Sequence, residues 1–195
     1  FPINYEPLRE ESVVGRAKVL GVSPESLMYD LLLENDGTAF YAIFGSNFAK
    51  GDLDASREML LHPYTITGLS DAGAHVSFIC DCSMPTFHLT HWVRDRSRGE
   101  RLPLESTVRK LTKNNADLYG LSDRGSLEVG KRADVNVINL DKLTIQAPFV
   151  RKDLPAGGSR ILQPSTGYAA TLVNGVVTRL NDADTGARPG RLVRS

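Results

Sequence analysis

Tyr64-Thr65-Ile66-Thr67-Gly68-Leu69-Ser70-Asp71-Ala72-Gly73-Ala74-His75 is a β-favouring run that stops at a carboxylate, followed by small residues and a histidine. Tyr, Thr and Ile dominate its first half and Pro63 fixes its start, so a short buried strand is predicted from Tyr64 to Leu69. Asp71 then falls at the strand's C-terminal end. In an α/β protein that edge collects chemistry, because the strands form a rigid frame and the loops beyond them stay open to a ligand. The alanines and glycine after Asp71 leave room for close approach. Ser70-Asp71 is also the kind of pair that caps a helix or turns the chain. The local sequence leaves both readings open.

Upstream, the pattern alternates between helix and strand. Ser12 is placed to cap a helix over Val13–Leu20 that Gly21 stops, and Ser23-Pro24 opens another whose apolar face is Leu27, Met28, Leu31 and Leu32. Thr38–Phe44 is nearly all apolar, as a strand covered on both faces would be, with Gly45-Ser46-Asn47 as its exit. A helix capped by Asp52 or Asp54 then leads to His62-Pro63 and the Tyr64 strand. Strand, helix and strand in this spacing predict a βα crossover and a parallel sheet or barrel.

Downstream, Ser83 is a candidate cap for a helix carrying Phe87, Leu89, Trp92 and Val93. The arginines between Arg94 and Arg101, interspersed with Asp95 and Glu100, predict a solvated helix end. A further helix is predicted from Leu104 to Tyr119, with Leu104, Val108, Leu111 and Leu118 on one side. The texture then changes. Val135–Leu140 reads as a strand, and Tyr168–Val173 and Val176–Leu180 flank Asn174-Gly175, a strong hairpin signal. Pro148, Pro155, Gly157 and Gly158 predict a long irregular connection between them, and a domain boundary is expected near Ser122.

With 41% hydrophobic and 24% charged residues, the 195-residue chain has ordinary globular composition. Its 23 basic and 23 acidic side chains cancel, which removes any bulk electrostatic case for nucleic acid or an anionic membrane surface. No apolar run is long enough to span a membrane. The opening Phe1-Pro2-Ile3-Asn4-Tyr5 has neither a signal-peptide pattern nor a starting methionine, so a piece of a longer protein is expected. Cys80 and Cys82 are too close for an ordinary disulfide and too few for a metal set, which points to a reducing cytoplasm. His88 and His91, three apart, lack a third ligand at sensible spacing, so helix packing is the expected role.

Several of these stretches together carry a family resemblance. Gly68–His75, Trp92-Val93-Arg94-Asp95-Arg96, Leu111-Thr112 with Asn115-Ala116, and Gly120–Asp134 resemble, in this order, the C-terminal part of the N-acyl-D-amino-acid deacylases (D-aminoacylases) of the amidohydrolase superfamily. Val173-Asn174-Gly175 and Thr185–Arg191 carry the resemblance almost to the end. It implies an α/β fold: residues 1–122 as the C-terminal part of a metal-dependent (β/α)8 TIM-type barrel, and residues 123–195 as a β-rich segment of a composite sandwich. It also implies that Asp71 is the catalytic acid/base and a partial metal contact, with zinc as the cofactor and the remaining ligands outside this chain. His75 is a candidate substrate contact or a structural residue. The implied substrate is a small N-acyl-D-amino acid, and the missing N-terminal part or a second copy of the chain is the expected partner. The 195 residues alone are expected to be inactive. A non-catalytic fragment with a structural or partner-binding role, and an amidohydrolase acting on cyclic amides, remain alternatives.

Overall fold

Two serines start the first helices as their positions predict. Ser12 Oγ accepts from the Gly15 amide at 3.0 Å and opens α1 (Val13–Leu20), which Gly21 ends at φ 70°. Ser23 Oγ accepts from Ser26 N at 3.1 Å and opens α2 (Pro24–Gly37). The computed structural model describes residues 3–44, 46–68 and 70–193, which separate into two compact units, Ile3–Met59 and the residues from Leu60 onward.

In the first unit Ala17, Leu27 and Leu31 form a small core, joined by Val13 and Tyr41. Helical backbone in α2 ends before its nominal boundary, because Glu34 is extended and Asn35 and Asp36 are left-handed at φ 52° and 56°. The Tyr41 hydroxyl donates to the Leu31 carbonyl at 2.7 Å, so this ring closes the core instead of lying in a sheet. The strand predicted over 38–44 is absent: these residues join no ladder among the described residues, and Gly45 of the predicted exit lies outside them. The buried Glu6 carboxylate accepts from Leu53 N at 2.9 Å, just ahead of α3 (Asp54–Leu61).

In the second unit the strand predicted over 64–69 likewise joins no ladder among the described residues. Residues 65–68 carry no regular structure, and Leu69 lies outside the described residues. β-propensity describes a side chain's fit to a pleated surface, and without a neighbouring strand it has no ladder to join. After α4 (Met84–Phe87) the chain continues in π-helical turns over His88–Asp95. Ser83 does not cap α4; its hydroxyl donates instead to Gln163 Oε1 at 2.6 Å. The predicted 104–119 helix is broken at Thr112 (φ −126°, ψ −86°) into α5 (Leu104–Leu111) and α6 (Lys113–Leu118). Thr107 and Ala116 are buried, whereas Leu104, Val108 and Leu118 of the predicted apolar face are exposed. Arg96, expected in a solvated cluster, is buried with its guanidinium 4.9 Å from the Trp92 ring centre.

Strands follow, all antiparallel. They are β1 (Val135–Ile138), β2 (Thr144–Ile145), β3 (Phe149–Lys152), β4 (Ser159–Leu162), β5 (Ser165–Thr166), β6 (Tyr168–Val173), β7 (Val176–Leu180) and β8 (Ala183–Asp184). One sheet has the order β1-β6-β7-β8, and β2–β5 and β3–β4 form separate pairs. The predicted irregular connection thus contains two antiparallel strand pairs. Asn174 (φ 51°) and Gly175 (φ 78°) turn β6 into β7 with both central residues left-handed, the geometry a tight hairpin requires. The sheet docks on the helices through polar contacts. Thr86 Oγ1 and the Tyr168 hydroxyl lie 2.7 Å apart, and Arg94 donates to the Leu140 carbonyl. The chain therefore mixes helix and sheet, but no parallel strand pair occurs among the described residues. No helix among them is long and apolar enough to cross a membrane.

Candidate functional site

The chain reaches Asp71 along a segment that side chains, not a ladder, hold in place. Lys110, in the last turn of α5, extends its ammonium to the His62 carbonyl at 2.8 Å and to the Thr65 carbonyl and hydroxyl, each at 2.9 Å. Thr67 Oγ1 donates back to the Lys110 carbonyl at 3.0 Å, and Asn115 Nδ2 of α6 donates to Thr67 Oγ1 at 2.9 Å. Burial pushes the Lys110 pKa down.

Asp71 and His75 are exposed, and both have left-handed backbone, at φ 42° and 49°. Asp tolerates this region better than most residues, and the turn it makes is tight. The His75 carbonyl then accepts from Phe78 N at 2.8 Å and Ile79 N at 2.9 Å, while Val76 offers its carbonyl to Ile161 N of β4 at 2.8 Å. The loop is thereby tied to a sheet on its far side. Among the described residues no hydrogen bond joins the Asp71 carboxylate to His75.

Burial, and then the negative charge of Asp71, raise the Asp81 pKa. Next to it the Cys80 thiol is pushed up to about 11, by burial first and then by Cys82 and Asp81. These groups line one loop, but no three His, Cys, Asp or Glu side chains among the described residues gather as a metal site. A catalytic zinc takes three protein donors and a structural one four. The donors of this chain do not by themselves fit a zinc ion.

A partly open cavity of about 40 Å³ lies elsewhere, beside the Lys110 contacts, lined by Leu61, Thr67, His88, Leu102, Thr107 and Lys110 among others. It is far smaller than the roughly 300–1,000 Å³ of small-molecule sites, and suits a water instead. The His88 ring donates from Nδ1 to the Met84 carbonyl at 3.0 Å, and its Nε2 is buried with no hydrogen-bond partner among the described residues. Sequence reasoning did not single out Lys110, Thr67 or Asp81. A lysine on an amphipathic helix carries no signal that it will be turned inward.

Comparison with known proteins adds the following. Residues 6–179 match the family described as "Amidohydrolase family". An N-acyl-D-glutamate deacylase from Alcaligenes xylosoxydans xylosoxydans is 37% identical over 106 residues, covering 54% of this chain and 19% of that protein. An imidazolonepropionase from Rhizobium meliloti (strain 1021) is 29% identical over 168 residues, covering 72% of this chain and 40% of that protein. The chain thus spans well under half the length of either relative. No solved structure matches it significantly.

Proposed function

This chain belongs to the amidohydrolase family, and from that premise we propose that it is the part of a deacylase that supplies the proton-transferring carboxylate, Asp71. The substrate we propose is an N-acyl-D-amino acid with an acidic side chain, on a single supporting observation: the 37% identity to an N-acyl-D-glutamate deacylase. In the complete protein the fold would be a (β/α)8 barrel with zinc as its metal, and ligands from outside this chain would hold that ion. The localisation proposed is cytoplasmic.

The chemistry assigned to this chain rests on its carboxylate alone. As water adds to the amide carbonyl, Asp71 accepts the water's proton; as the carbon–nitrogen bond breaks, it returns that proton to the leaving amine. One group serves both steps because a carboxylate is regenerated when the product amine departs. Asp71 is exposed, which leaves its carboxylate open to a water and a substrate. His75, four residues on, would border the substrate. A second reading, hydrolysis of a cyclic amide, is favoured by the similarity to an imidazolonepropionase.

The test is substrate choice by the full-length, metal-loaded protein. N-acetyl-D-glutamate is expected to release free D-glutamate, with N-acetyl-L-glutamate and hydantoin turned over far more slowly. Preference for hydantoin would select the cyclic-amide reading, and no turnover of any amide would leave only the non-catalytic one.

A further inference from the structure

We propose that Lys110 is a positioning residue for Asp71, clasping residues 62–67 against α5 and α6 so that the carboxylate is presented in one place. The inference rests on the assignment of Asp71 as the acid/base and extends it to a residue distant in sequence.

Three observations carry it. An ammonium has three donors, and Lys110 directs contacts to three acceptors that all belong to His62 and Thr65, a stretch that ends six residues before Asp71. Such bonds, with one partner charged, are about twice as strong as neutral ones. The return contacts, Thr67 to the Lys110 carbonyl and Asn115 to Thr67, fix the same stretch at its other end. Finally, residues 65–68 join no ladder among the described residues, and these side-chain contacts tie them to α5 and α6.

A lysine whose donors all go to backbone and hydroxyl oxygens is not free to serve as a substrate ligand or as a base. Its effect is on where the following residues stand. A displacement of about 1 Å at a reacting group can cost about 100-fold in rate, so loss of the clasp reaches the chemistry without touching the substrate.

The experiment compares Lys110→Met, Lys110→Arg and Asp71→Asn in the full-length, metal-loaded protein, using N-acetyl-D-glutamate and hydrogen exchange of peptides covering 62–75. Lys110→Met is expected to lower kcat about 10- to 100-fold with KM near the parent value, and to speed exchange across 62–68. Lys110→Arg, which keeps charge and donors, is expected to recover most of the rate. If Lys110→Met folds poorly, Thr67→Val removes the return contact more gently and should show the same split between kcat and KM. Unchanged kcat and exchange in Lys110→Met and Thr67→Val, alongside an inactive Asp71→Asn, would overturn the clasp and leave the acid/base assignment standing. A fully active Asp71→Asn would overturn that assignment, and the positioning role with it.

Discussion

The β6–β7 hairpin and the stretch from His62 to Gly68 have similar β-favouring composition and are held by opposite means. In the hairpin, Val173 pairs with Val176 and Ala170 with Leu180, so main-chain bonds between neighbours in sequence carry the structure. In the stretch before Asp71, an ammonium from α5, an amide from α6 and the stretch's own Thr67 hydroxyl take over that task. A ladder is made of backbone, which every residue supplies, so it tolerates side-chain change; a clasp depends on a few named side chains. If the proposed role of Asp71 holds, substitutions in the first region are expected to be read in stability and those in the second in rate.

Substitutions on the sheet side put that division at risk. The largest stability effect is expected at Gly167, which has φ 108° and on which a Cβ would lie 2.6 Å from Leu143 Cα. Gly167→Ala combines left-handed strain with backbone overlap and should cost about 2–4 kcal/mol, measured by urea or thermal unfolding, with kcat per folded molecule unchanged. A clear fall in kcat at full folding would erase the contrast between the two regions. Ser83→Ala comes next. It leaves the buried Gln163 Oε1 without its 2.6 Å donor, and should cost about 1–3 kcal/mol in the same unfolding experiment.

The smallest effect is at the sheet's outer edge. Arg188 pairs with Asp184 through both oxygens, at 2.9 and 2.7 Å, and with the Gly186 amide it lowers the Asp184 pKa to about 2. A carboxylate whose pKa is depressed by folding stabilises above its ordinary range and loses that contribution as pH falls from about 4 toward 2. Arg188→Ala should bring the Asp184 pKa back up, followed by carbon NMR titration of its carboxyl, and should flatten the acid dependence of stability in that window. The pair is exposed, so both the flattening and the matching loss of stability at neutral pH should be small.

The same contrast explains what the sequence made legible. Ser12, Ser23 and Asn174-Gly175 act on partners within three residues, so their signals are local and the elements form where they predict. The strands predicted over 38–44 and 64–69 depend on neighbours that local pattern cannot supply, and neither segment forms a ladder among the described residues. Ser83 had the right type for a cap but found a buried glutamine 80 residues away. Lys110 carried no signal at all, because its acceptors, two main-chain carbonyls and a hydroxyl, lie more than 40 residues earlier. Of the proposed site the sequence offered Asp71, through family resemblance, and His75, by its place four residues on, but not the contacts that hold the stretch before them.

Turnover of N-acetyl-D-glutamate by the full-length, metal-loaded protein carrying Asp71→Asn tests the central claim most directly. The account predicts a loss of about 10²- to 10⁴-fold in kcat with unfolding temperature and circular dichroism unchanged, the size of a lost proton-transfer group. Turnover within a few-fold of the parent would contradict it.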